Sequence, residues 1–275
     1  MTEAINPLKA KLAAGECVAG FMVTMPSVAL VQVLAGSGAD FLIVDMEHGP
    51  IDLATAHAMV AATRGTGAVP IVRVPWTEPW LAKPVLDTGA MGVNFPMVSD
   101  AAAARETVRA VRYPPAGARG YAPSYAPLRW GLAPPDYLRV ADREILNIVT
   151  IEEPGAVERL DEILAVPGID VVVIASFDLS MSMGVPGRFD DPELLRLVTT
   201  GLSPVGQRGR EGEFLLTCPR QNTGRVKVSI PRIPRITTSI TTTPGRRTTT
   251  AAPSVPQSLE SLAEADGARP REGVR

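Results

Sequence analysis

The sequence predicts an α/β fold, a (β/α)8 barrel of the TIM type. Its first six units occupy residues 1–198, and units seven and eight are missing, replaced by a non-homologous tail over 199–275. Three observations carry that expectation. Short β-branched runs alternate with longer helical patterns, the signature of βαβ units and a parallel sheet. Six such units follow one another, which favours a closed barrel over the open doubly wound sheet that periodicity also permits. After Val198 the alternation stops.

The apolar runs Val18–Thr24, Phe41–Glu47, Val69–Pro75, Gly92–Val98, Leu146–Glu152 and Asp170–Ser176 read as strands one to six. The segments Ser27–Ala35, Leu53–Thr63, Trp80–Thr88, Asp100–Val111, Gly155–Leu164 and Asp191–Val198 read as the helices that follow them. The repeat is even except between the fourth and fifth strands. There Arg112–Asp142, rich in Pro, Gly and Tyr, is too long for a plain connector and is expected to be a lid or rim segment that tunes selectivity. In the tail, Val226–Ile230 and Ile236–Ile240 resemble strands but are bounded by Pro, so extended coil is expected. Leu259–Ala265 alone looks helical. The domains are therefore 1–198, an incomplete barrel, and 199–275, a Thr/Pro/Arg-rich tail that is either disordered or the product of a shifted reading frame.

Composition excludes several classes. Hydrophobic residues make up 45% and charged residues 20%, the balance of a soluble globular protein. Residues 1–200 carry 15 Lys and Arg against 23 Asp and Glu, whereas 201–275 carry 12 against 6. The folded part is acidic, so nucleic acid is not an expected partner. Without a signal peptide pattern or an apolar run of about 18 residues, a membrane is not expected either, and the cytoplasm is the expected location. Cys17 and Cys218 suggest no disulfide framework, and Cys17 is expected to be a buried small hydrophobe.

In a barrel of parallel strands, catalytic groups project from the strands' C-terminal ends. Four strands here end in ionisable residues: Asp45-Met46-Glu47-His48-Gly49 on the second, Arg73 on the third, Glu152 on the fifth, and Asp178 just beyond the sixth. His48 and Arg73 are 25 residues apart and Glu152 and Asp178 are 26 apart, one βα repeat in each case. Each pair therefore comes from adjacent strands facing one mouth. Glu152 and Asp178 offer hard oxygens suited to Mg²⁺ or Mn²⁺, which a 2-oxo acid could chelate. Arg73 is suited to a developing oxyanion, and His48 to moving a proton, with Asp45 to orient it. Plainer roles stay open. Asp178 could cap the helix it precedes, His48 could be structural, and Arg73 could pair with a rim acid. Glu47 is expected in a salt bridge or supporting role, Glu153 in solvent, and His57 as structural.

The segments Phe41–Gly49, Ile71–Pro75, Arg112–Gly120, Ile151–Glu158 and Asp178–Ser180 resemble the HpcH/HpaI aldolase/citrate lyase family, in order and at the family's spacing, over about residues 5–198. The resemblance implies a class II, metal-dependent pyruvate aldolase. Such an enzyme cleaves a 4-hydroxy-2-oxo acid, of the 2-keto-3-deoxy sugar acid or 4-hydroxy-2-oxoheptanedioate type, to pyruvate or a related 2-oxo acid and an aldehyde. By matched position it implies Glu152 and Asp178 as ligands of Mg²⁺, Mn²⁺ or Co²⁺, His48 as the acid/base residue with Asp45 as its partner, and Arg73 on the enolate. Ser176 and Phe177 fall where the family offers backbone amides to the substrate carboxylate. It also implies a homo-oligomer, whose C-terminal helix packs on a neighbouring subunit. This chain departs from the family at Ala175-Ser176-Phe177, where Gly-Pro-Ala is usual, at Thr150, and at Asn94-Phe95. Phe177 is expected to crowd the pyruvate pocket. An acyl-CoA lyase of the citrate lyase β or malyl-CoA lyase type and a truncated, non-catalytic barrel are the alternatives.

Overall fold

A computed structural model of the chain describes residues 5–122, 124–202, 215–217 and 228–229. The elements run α1 (Pro7–Ala13), β1 (Val18–Val23), α2 (Val28–Gly36), β2 (Phe41–Asp45), α3 (Leu53–Ala62), β3 (Val69–Arg73), α4 (Pro79–Asp87), β4 (Gly92–Phe95) and α5 (Ala101–Val111). They continue with α6 (Tyr125–Trp130), α7 (Pro134–Glu144), β5 (Leu146–Ile151), α8 (Pro154–Glu158), α9 (Leu160–Leu164), β6 (Val171–Ile174), α10 (Ser176–Ser182), α11 (Pro192–Leu202), β7 (Leu215–Thr217) and β8 (Val228–Ser229). All lie in the compact unit Met1–Ile233.

Strands β1 to β6 pair in sequence order and in parallel, as six consecutive βα units require. Helix starts follow side-chain chemistry: Ser27, Asp52 and Asp100 each accept the backbone N–H three residues on, the usual N-cap bond. Strand period 2 sorts the sheet residues into two cores. Leu42, Val44, Val72, Val93 and Val149 face the helices in one cluster. Phe41, Ile43, Val69, Ile71, Leu146, Ile148, Val171 and Val173 face the other way, into a second cluster closed by Leu8 and Leu12 of α1. Continuing the same alternation puts Asp45, Arg73 and Glu152 on that inner face, one step beyond the apolar plug.

Four expectations are corrected. The segment Arg112–Asp142 is not a lid over the mouth. It leaves α5 and returns to β5 at the strands' N-terminal ends, and it folds into α6 and most of α7. It is fastened there by Trp130 Nε1 donating to the Gly89 carbonyl (3.0 Å) and Tyr113 N donating to Asp142 Oδ1 (3.0 Å). The signal for α7 was present: Pro134 opens it, and Tyr137, Ala141 and Glu144 are buried at helical spacing. The single helix expected over Gly155–Leu164 breaks at Arg159 into α8 and α9. Cys17 is exposed, since it sits in the turn between α1 and β1 rather than in either core.

The tail also contributes to the sheet. Within Val226–Ile230, expected as coil, β8 pairs in parallel with β1, and β7 pairs antiparallel with β6. The outer edges of β1 and β6 present unpaired backbone groups that an extended segment satisfies. The antiparallel direction of β7 sets it apart from the βα repeat. Ile236–Ile240 and Leu259–Ala265 lie outside the described residues. Among the described residues no helix is long and apolar enough to cross a membrane.

Candidate active site

The mouth at the C-terminal ends of β2, β3 and β5 is built around Arg73. Arg73 is 3% exposed, and its guanidinium forks onto Asp45, with Nε to Oδ1 at 2.8 Å and Nη2 to Oδ2 at 2.7 Å. The register that pairs Asp45 with Arg73 across β2 and β3 makes this two-bonded contact possible. Burial opposes the charge on Arg73, but the hydrogen bonds and charge of Asp45, with Glu47 and Glu152, outweigh it and raise its pKa.

Asp45 also ends its own strand. Its Oδ1 accepts the backbone N–H of Glu47 (3.0 Å) and of His48 (3.4 Å), which turns the chain out of β2. Burial pushes the Asp45 carboxyl up, and the Arg73 bonds and charge together with these amides bring it below its ordinary value. Gly49 completes the turn, because a Cβ there would lie 2.5 Å from the Asp45 carbonyl oxygen and 2.7 Å from that of Thr24. His48 is thus held by its backbone, and its side chain is 58% exposed at the mouth. The expected pairing of Asp45 with the imidazole is not what the structure draws. Both carboxylate oxygens are committed to Arg73 and the turn.

The carboxylate nearest the imidazole is that of Glu47. Its Oε2 lies 3.9 Å from His48 Nε2 and 3.0 Å from Arg73 Nη1. With the strand ending at Asp45, Glu47 turns inward, as the salt-bridge expectation allowed. Its Oε2 is buried and, although ion-paired to Arg73, receives no hydrogen bond. Burial raises the Glu47 pKa against the pull of Arg73 and His48, and Asp45 and Asp178 raise it further.

Glu152 follows β5, where its Oε1 accepts the backbone N–H of Met97 at 3.2 Å. Met97 holds a left-handed φ of 52°, an unusual conformation for this side chain that aims its amide at the carboxylate. Burial pushes the Glu152 carboxyl up to about 7, opposed by the Met97 amide and Arg73 and reinforced by Glu47 and Asp178. Asp178 sits in the first turn of α10, whose N-cap is Ala175, so the capping alternative falls away. Ser176 opens α10, and the exposed Phe177 packs edge-on against Phe189, with centroids 4.6 Å apart. Thr150 and Asn94, two of the departures, bond to each other inside the sheet at 2.7 Å. Glu153 is exposed beside Arg159, as expected.

Among the described residues no group of three or more His, Cys, Asp and Glu gathers as a ready-made metal cage. The site has a different character. Once Asp45 neutralises Arg73, the carboxylates of Glu47, Glu152 and Asp178 influence one another across a partly buried mouth. A buried oxygen of Glu47 without a hydrogen bond and the raised Glu152 carboxyl both mark a deficit of positive charge. That donor set fits a hard divalent cation held by two protein carboxylates, with oxygens of water and substrate completing its shell.

The sequence profile described as HpcH/HpaI aldolase/citrate lyase matches residues 19–214, past the domain boundary expected at 198. A hydroxypyruvate/pyruvate aldolase of Roseovarius nubinhibens is 38% identical over 210 residues, covering 76% of this chain and 82% of that protein. A 4-hydroxy-2-oxo-heptane-1,7-dioate aldolase of Escherichia coli is 36% identical over 212 residues, covering 77% and 80%. The crystal structure of a HpcH/HpaI aldolase/citrate lyase family protein from Burkholderia cenocepacia superposes with a TM-score of 0.68 at 32% identity, covering 72% of this chain and 79% of that one.

Proposed function

The chain belongs to the HpcH/HpaI aldolase/citrate lyase family, and from that premise we propose that it is a metal-dependent aldolase releasing pyruvate, or a related 2-oxo acid, from a 4-hydroxy-2-oxo acid. The observation that carries the reading is the Arg73 guanidinium, locked by Asp45 and bordered by Glu47, Glu152 and Asp178 at the strands' C-terminal mouth. Glu152 and Asp178 would hold the divalent cation, Mg²⁺, Mn²⁺ or Co²⁺. When bound, it supplies Lewis acidity to the substrate's 2-oxo group.

The chain's own residues perform the rest. Arg73 Nη1, which Asp45 does not engage and which borders Glu47, would meet the oxygen on which negative charge develops as the C3–C4 bond breaks. Because Asp45 fixes the guanidinium beforehand, little reorganisation accompanies that change. His48, exposed at the mouth, takes the proton of the C4 hydroxyl as the aldehyde forms. The bonding electrons pass to the 2-oxo group, giving the enolate of pyruvate, and a proton delivered to C3 completes the product. Glu47 lies beside both His48 and Arg73 and so borders the path of that proton. The backbone amides at Ser176 and Phe177 open α10 toward the substrate carboxylate, with the start of the helix favouring an anion.

The test is pyruvate release, followed through lactate dehydrogenase, from 4-hydroxy-2-oxo acids with Mg²⁺, Mn²⁺ or Co²⁺. Release that EDTA abolishes and metal restores is expected. Folded, metal-supplemented protein that yields no pyruvate or related 2-oxo acid from any such substrate overturns the assignment.

A further inference from the structure

At the opposite end of the sheet, we propose a second site: a cavity between Arg64 and Arg129 that binds a small aliphatic carboxylate. The cavity measures about 170 Å³, several times the space of a single water, and its walls include Val60, Pro70, Met91 and Trp130. Pro70 lies at the start of β3, and Met91 immediately precedes β4. Since the strands run parallel, the cavity is at their N-terminal ends, away from Arg73 and His48.

The charges in this cavity are unbalanced. Arg129 Nη1 donates to the His57 carbonyl at 3.0 Å, and Nη2 lies 2.9 Å from His57 Nε2, so both contacts are to uncharged acceptors when the imidazole is neutral. Among the described residues neither Arg64 nor Arg129 is paired with a carboxylate. Burial and the neighbouring charge of Arg64 together lower the Arg129 pKa, and burial with the charge of Arg129 lowers that of His57. Two like charges held at one cavity without a counter-ion are an anion's complement, and the planar guanidinium suits a carboxylate's two oxygens.

The placement of Arg129 is built in. Gly89 adopts a φ of +98°, and a Cβ there would lie 2.7 Å from the Arg129 Cβ and 2.8 Å from its Cγ. Only glycine lets α6 approach this closely, and the Trp130 bond to the Gly89 carbonyl pins the approach. One feature opposes an anion, the carbonyl end of α3. Three carbonyls there already accept a hydrogen bond: Val60 O from Thr63 Oγ1, Ala61 O from Arg64 N, and Thr63 O from Thr66 Oγ1. The apolar walls give an aliphatic stem contacts that they withhold from the fully hydrated phosphate ion.

Trp130 serves as the reporter. In the full chain carrying Trp76→Phe and Trp80→Phe it is the sole tryptophan. Titration with isobutyrate is expected to change its fluorescence saturably, and Arg64→Ser, an exposed change, is expected to weaken that response at least tenfold with an unaltered far-UV spectrum. Inorganic phosphate is expected to bind more weakly than isobutyrate. The same ranking is expected from thermal shifts of the chain with its natural tryptophans, a second readout should the double substitution fail to fold. Absence of a saturable response by either readout, an equal response in Arg64→Ser, or tighter binding of phosphate overturns the proposal. Pyruvate release by Arg64→Ser should stay at the level of the unaltered chain.

Discussion

Replacing Glu152 with Gln should stabilise the metal-free protein while removing its activity, and the two effects follow from one cause. The Glu152 carboxyl titrates near 7 in the fold against an ordinary 4.5. Its charged form is therefore disfavoured by the folded state, by about 3.5 kcal/mol at about 1.4 kcal/mol per pH unit. Solvent reaches part of this side chain, so a realistic figure is about 1–2 kcal/mol. The sign follows from proton linkage: the folded state holds the proton more tightly than the unfolded one. Stability is thus lost as pH rises from about 4.5 through about 7, and above 7 the whole penalty is present. Gln keeps an oxygen to accept the Met97 amide and carries no charge. At pH 8 with EDTA, Glu152→Gln should melt about 3–6 °C higher than the unaltered chain, and at pH 5 the difference should shrink toward zero. The same variant should release pyruvate at least a hundredfold more slowly with Mn²⁺ present. Circular dichroism melts at the two pH values decide the matter. A Glu152→Gln chain that melts no higher at pH 8, or gains equally at pH 5, refutes the electrostatic reasoning.

Three further outcomes are expected. Asp45→Asn strips the buried Arg73 of its anionic partner and should cost about 3 kcal/mol, measurable by urea unfolding, together with most of the activity. His48→Ala changes a side chain that is 58% exposed, so its melting temperature should stay within about 2 °C of the unaltered chain while kcat falls about 10²–10⁴-fold. Mn²⁺ at about a hundred times its dissociation constant should stabilise the protein by about 2.7 kcal/mol at pH 8, and by far less at pH 5.5, where Glu152 carries a proton. Thermal shift against metal concentration at the two pH values checks the last.

The strand-end residues were legible because period 2 is rigid. Once Phe41, Ile43, Val69 and Ile71 are recognised as facing one interior, Asp45 and Arg73 must follow them, and the pairing register makes them neighbours. The six units were legible for the same reason. What escaped were features set by turns and tertiary context. Sequence alone assigns Asp45 to His48, and its partnership with Arg73 depends on where β2 stops, which the Asp45 carboxylate itself decides by accepting two backbone amides. Met97 gave no signal, because its left-handed backbone is imposed from outside rather than favoured by the side chain. The Pro and Gly content of Arg112–Asp142 reads as loop and outweighs the stripe Tyr137, Ala141 and Glu144, which the fold buries as a helix face. In the tail, Val228–Ser229 pairs because an unsatisfied strand edge is available to it, a property of β1 rather than of its own composition.

The partnership of Asp45 with Arg73 sets the charge balance of the mouth. If Asp45 served the imidazole, Arg73 would be left to balance the acids of the mouth. Because Asp45 spends both oxygens on Arg73 and the turn, that pair is neutral as a unit. Glu47, Glu152 and Asp178 then face one another with, among the described residues, the outer edge of the same guanidinium and an exposed imidazole beside Glu47. Such a cluster is relieved by protonation or by a bound cation. A carboxyl titrating near 7 puts those two outcomes in direct competition near neutral pH. On the proposed aldolase reading, a divalent ion would answer the charge balance of the mouth that Asp45 sets by holding Arg73.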